Sequence, residues 1–112
     1  MLPHPYRLQK TADFAKAKKG NKVYSPFFIF LKFQRTPHDT NPTRFGFVTS
    51  KKVGGAVERN RARRLLRHAV ATFIPTIVPG FDIVIIASPK LVTASFDELK
   101  NALQKALPLT TR

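Results

Sequence analysis

Cysteine is absent from the 112 residues. Its absence excludes disulfides, thiol nucleophiles and Cys-ligated zinc, and fits a reducing compartment. Acidic residues are scarce: six, against 20 lysines and arginines, giving a net charge of +14. They are Asp13, Asp39, Glu58, Asp82, Asp97 and Glu98, and none forms the D-x-D or paired-carboxylate arrangement of a two-metal nuclease. Asp97 and Glu98 are adjacent, but a helix start accounts for both; Asp82 opens an apolar strand and reads as structural. His4, His38 and His68 lie far apart, without metal-ligand spacing. No phosphate-binding G-x-x-x-x-G-K-[S/T] loop occurs. No apolar run is long enough to span a bilayer, and Met1 to Arg7 lacks the apolar run of a signal peptide, so a cytoplasmic protein is expected. These absences leave no catalytic constellation and no metal site.

The chain is 43% hydrophobic, which suits a folded domain rather than a basic tail. Its length fits one domain, residues 1–112, with a modest core. A compact domain of this charge repels itself, so a polyanionic partner is the first inference. Nucleic acid is the commonest such partner, and an anionic membrane surface is the weaker alternative.

The charge is concentrated. Between residues 51 and 67 stand Lys51, Lys52, Arg59, Arg61, Arg63, Arg64 and Arg67, against the single acid Glu58. A helix starting near Ala56 and running to about Phe73 puts Ala62, Leu65, Leu66, Ala69, Val70 and Phe73 on one side. Arg59, Asn60, Arg63, Arg64 and Arg67 share the other, with Arg61 at its edge. One face docks on a core and the other is a guanidinium surface suited to bidentate phosphate contacts. Gly54-Gly55 permits the sharp turn into this helix.

In chain order, residues 1–9 read as extended along the surface. Thr11 caps a helix over 12–19 that ends at Gly20, with Lys16, Lys18, Lys19 and Lys22 either solvated or contacting phosphate. Val23 to Phe33 reads as one strand apolar on both faces, or as two strands, with Phe27, Ile29, Leu31 and Phe33 opposite Tyr24, Phe28 and Phe30. A loop over 34–43 is expected to join hairpin strands, the second being Arg44 to Ser50. Phe81 to Ala87 reads as a central strand buried on both faces. Ser95 and Glu98 form a capping box for a last helix, whose apolar face carries Phe96, Leu99, Leu103 and Leu107 before Pro108. The order predicts an α+β, two-layer sandwich of a mixed sheet with helices. Its strand–basic helix–strand unit has a right-handed crossover by the general rule.

Binding is therefore favoured over catalysis. Candidate classes are a noncatalytic ribosomal-type structural RNA-binding protein and a basic DNA-binding regulator.

Arg59-Asn60-Arg61, preceded by Lys51-Lys52 and followed by Arg63-Arg64-x-x-Arg67, closely resembles the protein subunit of bacterial ribonuclease P. The run from Phe45 to Arg61 is similar to that family's central signature, and Leu8-x-x-x-x-x-Phe14 and Asp82 to Ala87 fit its flanking elements. The resemblance implies an α+β fold like the second domain of a small-subunit ribosomal protein, with a left-handed βαβ crossover in place of the right-handed one. It implies an accessory subunit of an endoribonuclease whose catalyst is RNA and which removes the 5′ leader of precursor tRNA, leaving a 5′-phosphate. The implied partners are the catalytic RNA and precursor tRNA, with no membrane and no protein partner required. No cofactor is implied on the protein; Mg²⁺ is expected through the RNA. The expected catalytic-RNA surface is Arg59, Asn60, Arg61, Arg63, Arg64 and Arg67, continued by Lys51 and Lys52. The leader cleft maps to Phe14, Lys18, Ile29, Leu31 and Phe47, with Ala87 at its margin. Lys18 and Leu31 stand where some relatives have aromatics, so weaker stacking and added phosphate attraction are implied.

Overall fold

The computed structural model describes residues 6–8, 15–36 and 38–109. Four strands, β1 (Asn21–Tyr24), β2 (Phe28–Gln34), β3 (Arg44–Val48) and β4 (Phe81–Ala87), form one sheet in the order β1-β2-β4-β3. The β1/β2 and β2/β4 pairs are antiparallel and β3/β4 is parallel. Helix α1 (Ala56–Ala71) connects β3 to β4, and helix α2 (Phe96–Ala106) follows β4. This is the mixed-sheet α+β arrangement expected from the element order.

Of the two readings of residues 23–33 the two-strand one holds, with the break at Ser25-Pro26-Phe27. The Ser25 N–H donates to the Phe28 carbonyl at 2.9 Å and the Phe27 N–H to Ser25 Oγ at 3.1 Å. Proline has no N–H to give a ladder, so the chain turns there. The loop over 34–43 does not close a hairpin, because β4 lies between β2 and β3. A strand apolar on both faces gains most from the centre of the sheet, and β4 takes that place.

Alternation along the strands sorts side chains onto two faces. On one, Phe28, Phe30, Phe45, Ile83 and Ile85 are buried beneath Ala62, Leu66, Ala69 and Val70 of α1 and Leu99 and Leu103 of α2. Removing one such large side chain costs about 2–5 kcal/mol. On the other, Leu31 and Val84 are buried with Leu8 and Ala17, flanked by half-buried Ile29, Phe33, Val48 and Ile86. Leu8 is thus a core residue, tied by its N–H to the Phe45 carbonyl at 2.7 Å, rather than a surface one.

Residues 15–17 are helical, and Thr11, Asp13 and Phe14 lie outside the described residues. Gly20 ends this segment for a reason other than a left-handed turn. A Cβ there would stand 2.0 Å from the Lys32 carbonyl oxygen, so the glycine lets the chain cross close over β2. Helix α2 begins with the expected reciprocal cap: Glu98 N–H to Ser95 Oγ at 3.1 Å and Ser95 N–H to Glu98 Oε1 at 2.9 Å. Phe96 departs from its expected place on the apolar face; it is 38% exposed, and the buried face begins one turn later at Leu99.

Candidate nucleic-acid interface

The interface is built from the end of β3 onward. After Val48 the chain turns through Ser50 to Gly54, held by Val53 N–H to Ser50 O at 3.0 Å and Gly54 N–H to Lys51 O at 3.2 Å. Val53 is buried and pins the turn, which leaves Lys51 and Lys52 exposed. Gly54 has φ of +144°, a backbone that L side chains resist, and a Cβ there would meet the Glu58 side chain at 2.7 Å. Glu58 therefore folds back on the turn, and its Oε1 accepts the Gly55 N–H at 3.0 Å. The one acid of the basic helix caps its own N-terminus, where a negative charge also suits the helix dipole.

The outward face of α1 carries the residues expected of it. Asn60, Arg61 and Arg64 are exposed, and Arg59, Arg63 and Arg67 half-buried. Ala62, Leu66, Ala69 and Val70 are buried opposite, with Leu65 and Phe73 packed at the core margin. Arg63 is oriented rather than loose: it donates to Thr49 Oγ1 at 2.6 Å and to Asn60 Oδ1. Asn60, Arg63, Arg64, Arg67 and His68 line a shallow hollow of about 280 Å³. Among the described residues no acid pairs with Lys51, Lys52 or any arginine of α1. These cations face solvent with their charge uncompensated, a geometry that attracts phosphates and gives strong salt dependence.

Asp39 and Asp82 are employed elsewhere. Arg35, which sequence reasoning passed over, gathers the loop after β2. Its Nε donates to Asp39 Oδ2 at 2.8 Å, Nη1 to Asp82 Oδ1 at 2.7 Å and to Phe81 O at 2.8 Å, and Nη2 to Asn41 O at 2.8 Å. Asp82 is 2% exposed and also accepts from Arg44, at 3.0 Å and 2.8 Å. The structural reading of Asp82 holds. The readable signal was an acid opening an apolar strand, which requires a cationic partner when buried. The Arg35 guanidinium beside Asp39 holds that carboxyl below its ordinary value of 3.8, and the Asn41 N–H on its oxygen adds to the effect.

The expected leader residues do not form one accessible set. Phe14 lies outside the described residues. Ile29 and Leu31 share the sheet face that carries Ala17, but Leu31 is 3% exposed, packed with Leu8, Ala17 and Val84. Phe47 is on the opposite face: it pairs with Ile85, lies 6.4 Å from the Phe45 ring and packs on the helix-covered core, as does Ala87. The neighbours of Ile29 on its own face are Tyr24 on β1, Ile86 on β4 and Val48 on β3, one cross-sheet row. A one-residue shift in a strand exchanges faces, and an apolar strand does not reveal which face is which. Lys18 is exposed, as are Lys16, Lys19 and Lys22. Lys16 and Lys19 line a hollow of about 430 Å³ with Phe33, Arg35, Thr36, Arg44 and Asp82. Among the described residues no group of three or more His, Asp or Glu converges as a metal site would require. Among them, too, no helix is long and apolar enough to cross a membrane.

Comparison with known proteins fits this geometry. A family model described as Ribonuclease P matches residues 2–109. The Ribonuclease P protein component of Roseiflexus sp. (strain RS-1) is 40% identical over 107 residues, covering 95% of this chain and 86% of its own length. That of Rhodococcus erythropolis is 38% identical over 113 residues, covering 96% and 90%. The solved RNase P protein from Thermotoga maritima matches with a TM-score of 0.76 at 29% identity, over 91% of this chain and 94% of its own. The RNase P protein of Staphylococcus aureus matches with a TM-score of 0.75 at 30% identity, over 89% and 90%. A shared fold, a basic helix bearing Arg59-Asn60-Arg61 and a family match along nearly the whole chain lead to one conclusion: this chain belongs to the bacterial ribonuclease P protein family.

Proposed function

We propose that this chain is the RNA-binding protein subunit of ribonuclease P, assisting a catalytic RNA as it removes the 5′ leader from precursor tRNA in the cytoplasm. The observation that carries the reading is the uncompensated cationic face of α1, in which Arg59, Asn60, Arg61, Arg63, Arg64 and Arg67 continue the turn bearing Lys51 and Lys52. The chain acts as a subunit of the enzyme without catalytic residues of its own. Hydrolysis belongs to the RNA, with Mg²⁺ held by RNA phosphates.

The physical role follows from charge. Catalyst and substrate are both polyanions and repel each other; a basic protein docked on one and touching the other lowers that repulsion. The exposed Lys16, Lys18, Lys19 and Lys22 and the row Tyr24, Ile29, Ile86 and Val48 offer the leader phosphate attraction and apolar contact on a side of the sheet away from α1.

Reconstitution tests the reading. The purified chain with Mg²⁺ should leave precursor tRNA intact, and adding it to the cognate RNA should lower the Mg²⁺ and salt conditions needed for cleavage. Cleavage by the protein alone contradicts it. So does an RNA indifferent to the protein while the chain co-purifies with ribosomal subunits.

A further inference from the structure

Phe96 is a large apolar side chain that the core does not take. It is the first residue of α2, 38% exposed, and the Lys100 ammonium stands 5.7 Å from its ring centroid. With Arg61, Arg64, Leu65 and His68 of α1 it lines a hollow of about 300 Å³. The hollow thus joins an aromatic ring and an aliphatic floor to two arginines, one shared with the phosphate-suited depression beside Asn60 and Arg67.

From this juxtaposition we propose that the Phe96 hollow is a nucleobase slot, taking one unpaired base of an RNA strand whose backbone lies along the arginines of α1. Three observations support a base over a phosphate or an apolar peptide. The ring and Leu65 supply a stacking surface, which every base can use and a phosphate cannot. The charge is one-sided: Arg61 and Arg64 lie on the α1 side, whereas on the α2 side Lys100 is offset by Asp97 and Glu98 of the first turn, so a phosphate is drawn to α1 and the ring is left to a base. Arg64 lines both hollows, so a backbone on the α1 face is one nucleotide's reach from the ring. An apolar peptide would have to cover the arginines without compensating acids. The inference rests on the RNA-subunit reading and adds to it a site that reads a base rather than only charge.

The chain has no tryptophan, so Phe96→Trp installs a single fluorescent reporter in the slot. An unstructured oligoribonucleotide should quench it strongly. Inorganic polyphosphate, bound to the same degree as judged by competition, should quench it weakly. Phe96→Leu keeps the apolar bulk and should weaken oligoribonucleotide binding about five- to tenfold, the loss expected for one stacked base, and Phe96→Tyr should restore it. Equal quenching by the two polyanions, no quenching by RNA, or unchanged binding by Phe96→Leu would overturn the slot. The subunit reading is scored separately by wild-type reconstitution. Stimulated cleavage with an unquenched reporter removes the slot alone; no stimulation removes the wider reading.

Discussion

Two groups of arginines in this molecule do opposite things. Arg35 and Arg44 turn onto Asp82, and Arg35 also holds Asp39 and three backbone carbonyls, closing the loop after β2 against the start of β4. Among the described residues the arginines of α1 form no ion pair with an acid, and the one acid of their own helix, Glu58, is committed to the helix cap. The residue type is the same, and the placement of Asp39, Asp82 and Glu58 decides the role. A paired guanidinium is spent on the fold, whereas an unpaired one remains available to a phosphate. Net charge alone therefore overstates the cationic surface open to a partner, and the pairing pattern separates the arginines spent on the fold from those of the proposed RNA face.

The contrast can be broken from either side. The largest effect is expected from Asp82→Ala, which strips Arg35 and Arg44 of a buried carboxylate. Loss of one partner of a buried pair costs about 3–5 kcal/mol, measurable as a lower urea midpoint at unchanged m-value. RNA binding by the remaining folded fraction should keep its salt slope; a stable variant with a shallower slope would place Asp82 in the interface instead. A smaller effect is expected from Asn60→Ala. Its Oδ1 holds the Arg63 guanidinium, so the variant should lose about 1 kcal/mol of RNA affinity, the worth of a typical hydrogen bond. Combined with Arg63→Ala the two losses should be less than additive, whereas full additivity would mean that Asn60 contacts RNA independently of Arg63.

The smallest effect concerns acid stability. Asp39 has a folded-state pKa below its ordinary value of 3.8 because Arg35 favours its ionised form. Its contribution is therefore fully present above that ordinary value and is lost as pH falls through the lower folded value. Asp39→Asn should flatten the stability curve in that acid window and leave neutral-pH RNA binding unchanged. An unaltered acid limb would show that the Arg35–Asp39 pair carries no linkage.

Much of this was legible in the sequence because periodicity carries phase. The apolar positions of α1 at helical spacing separated core from arginines, and the Ser95–Glu98 pair marked the start of α2. The apolar run from Phe81 to Ala87 announced a central strand at its true limits. Where both alternating faces are apolar, phase is lost. Phe47 and Ile29 are each hydrophobic strand residues, and only the register with β4 shows them on opposite sides of the sheet. Phe96 follows the apolar spacing of α2, yet stands one turn before the helix reaches the core. The pairing of Arg35 with Asp82 spans 47 positions, beyond any local pattern.

The central claim, that unpaired arginines of α1 are the RNA-docking surface, is tested most directly by the salt dependence of binding to the catalytic RNA. Log affinity against log salt should be compared for the wild-type chain and an Arg59→Gln, Arg64→Gln, Arg67→Gln triple variant. Each phosphate contact contributes about 0.7–0.9 to the slope, so the triple variant should be shallower by roughly two to three, with thermal stability little changed. An unchanged slope with a folded variant would contradict the claim and place the RNA elsewhere on the molecule.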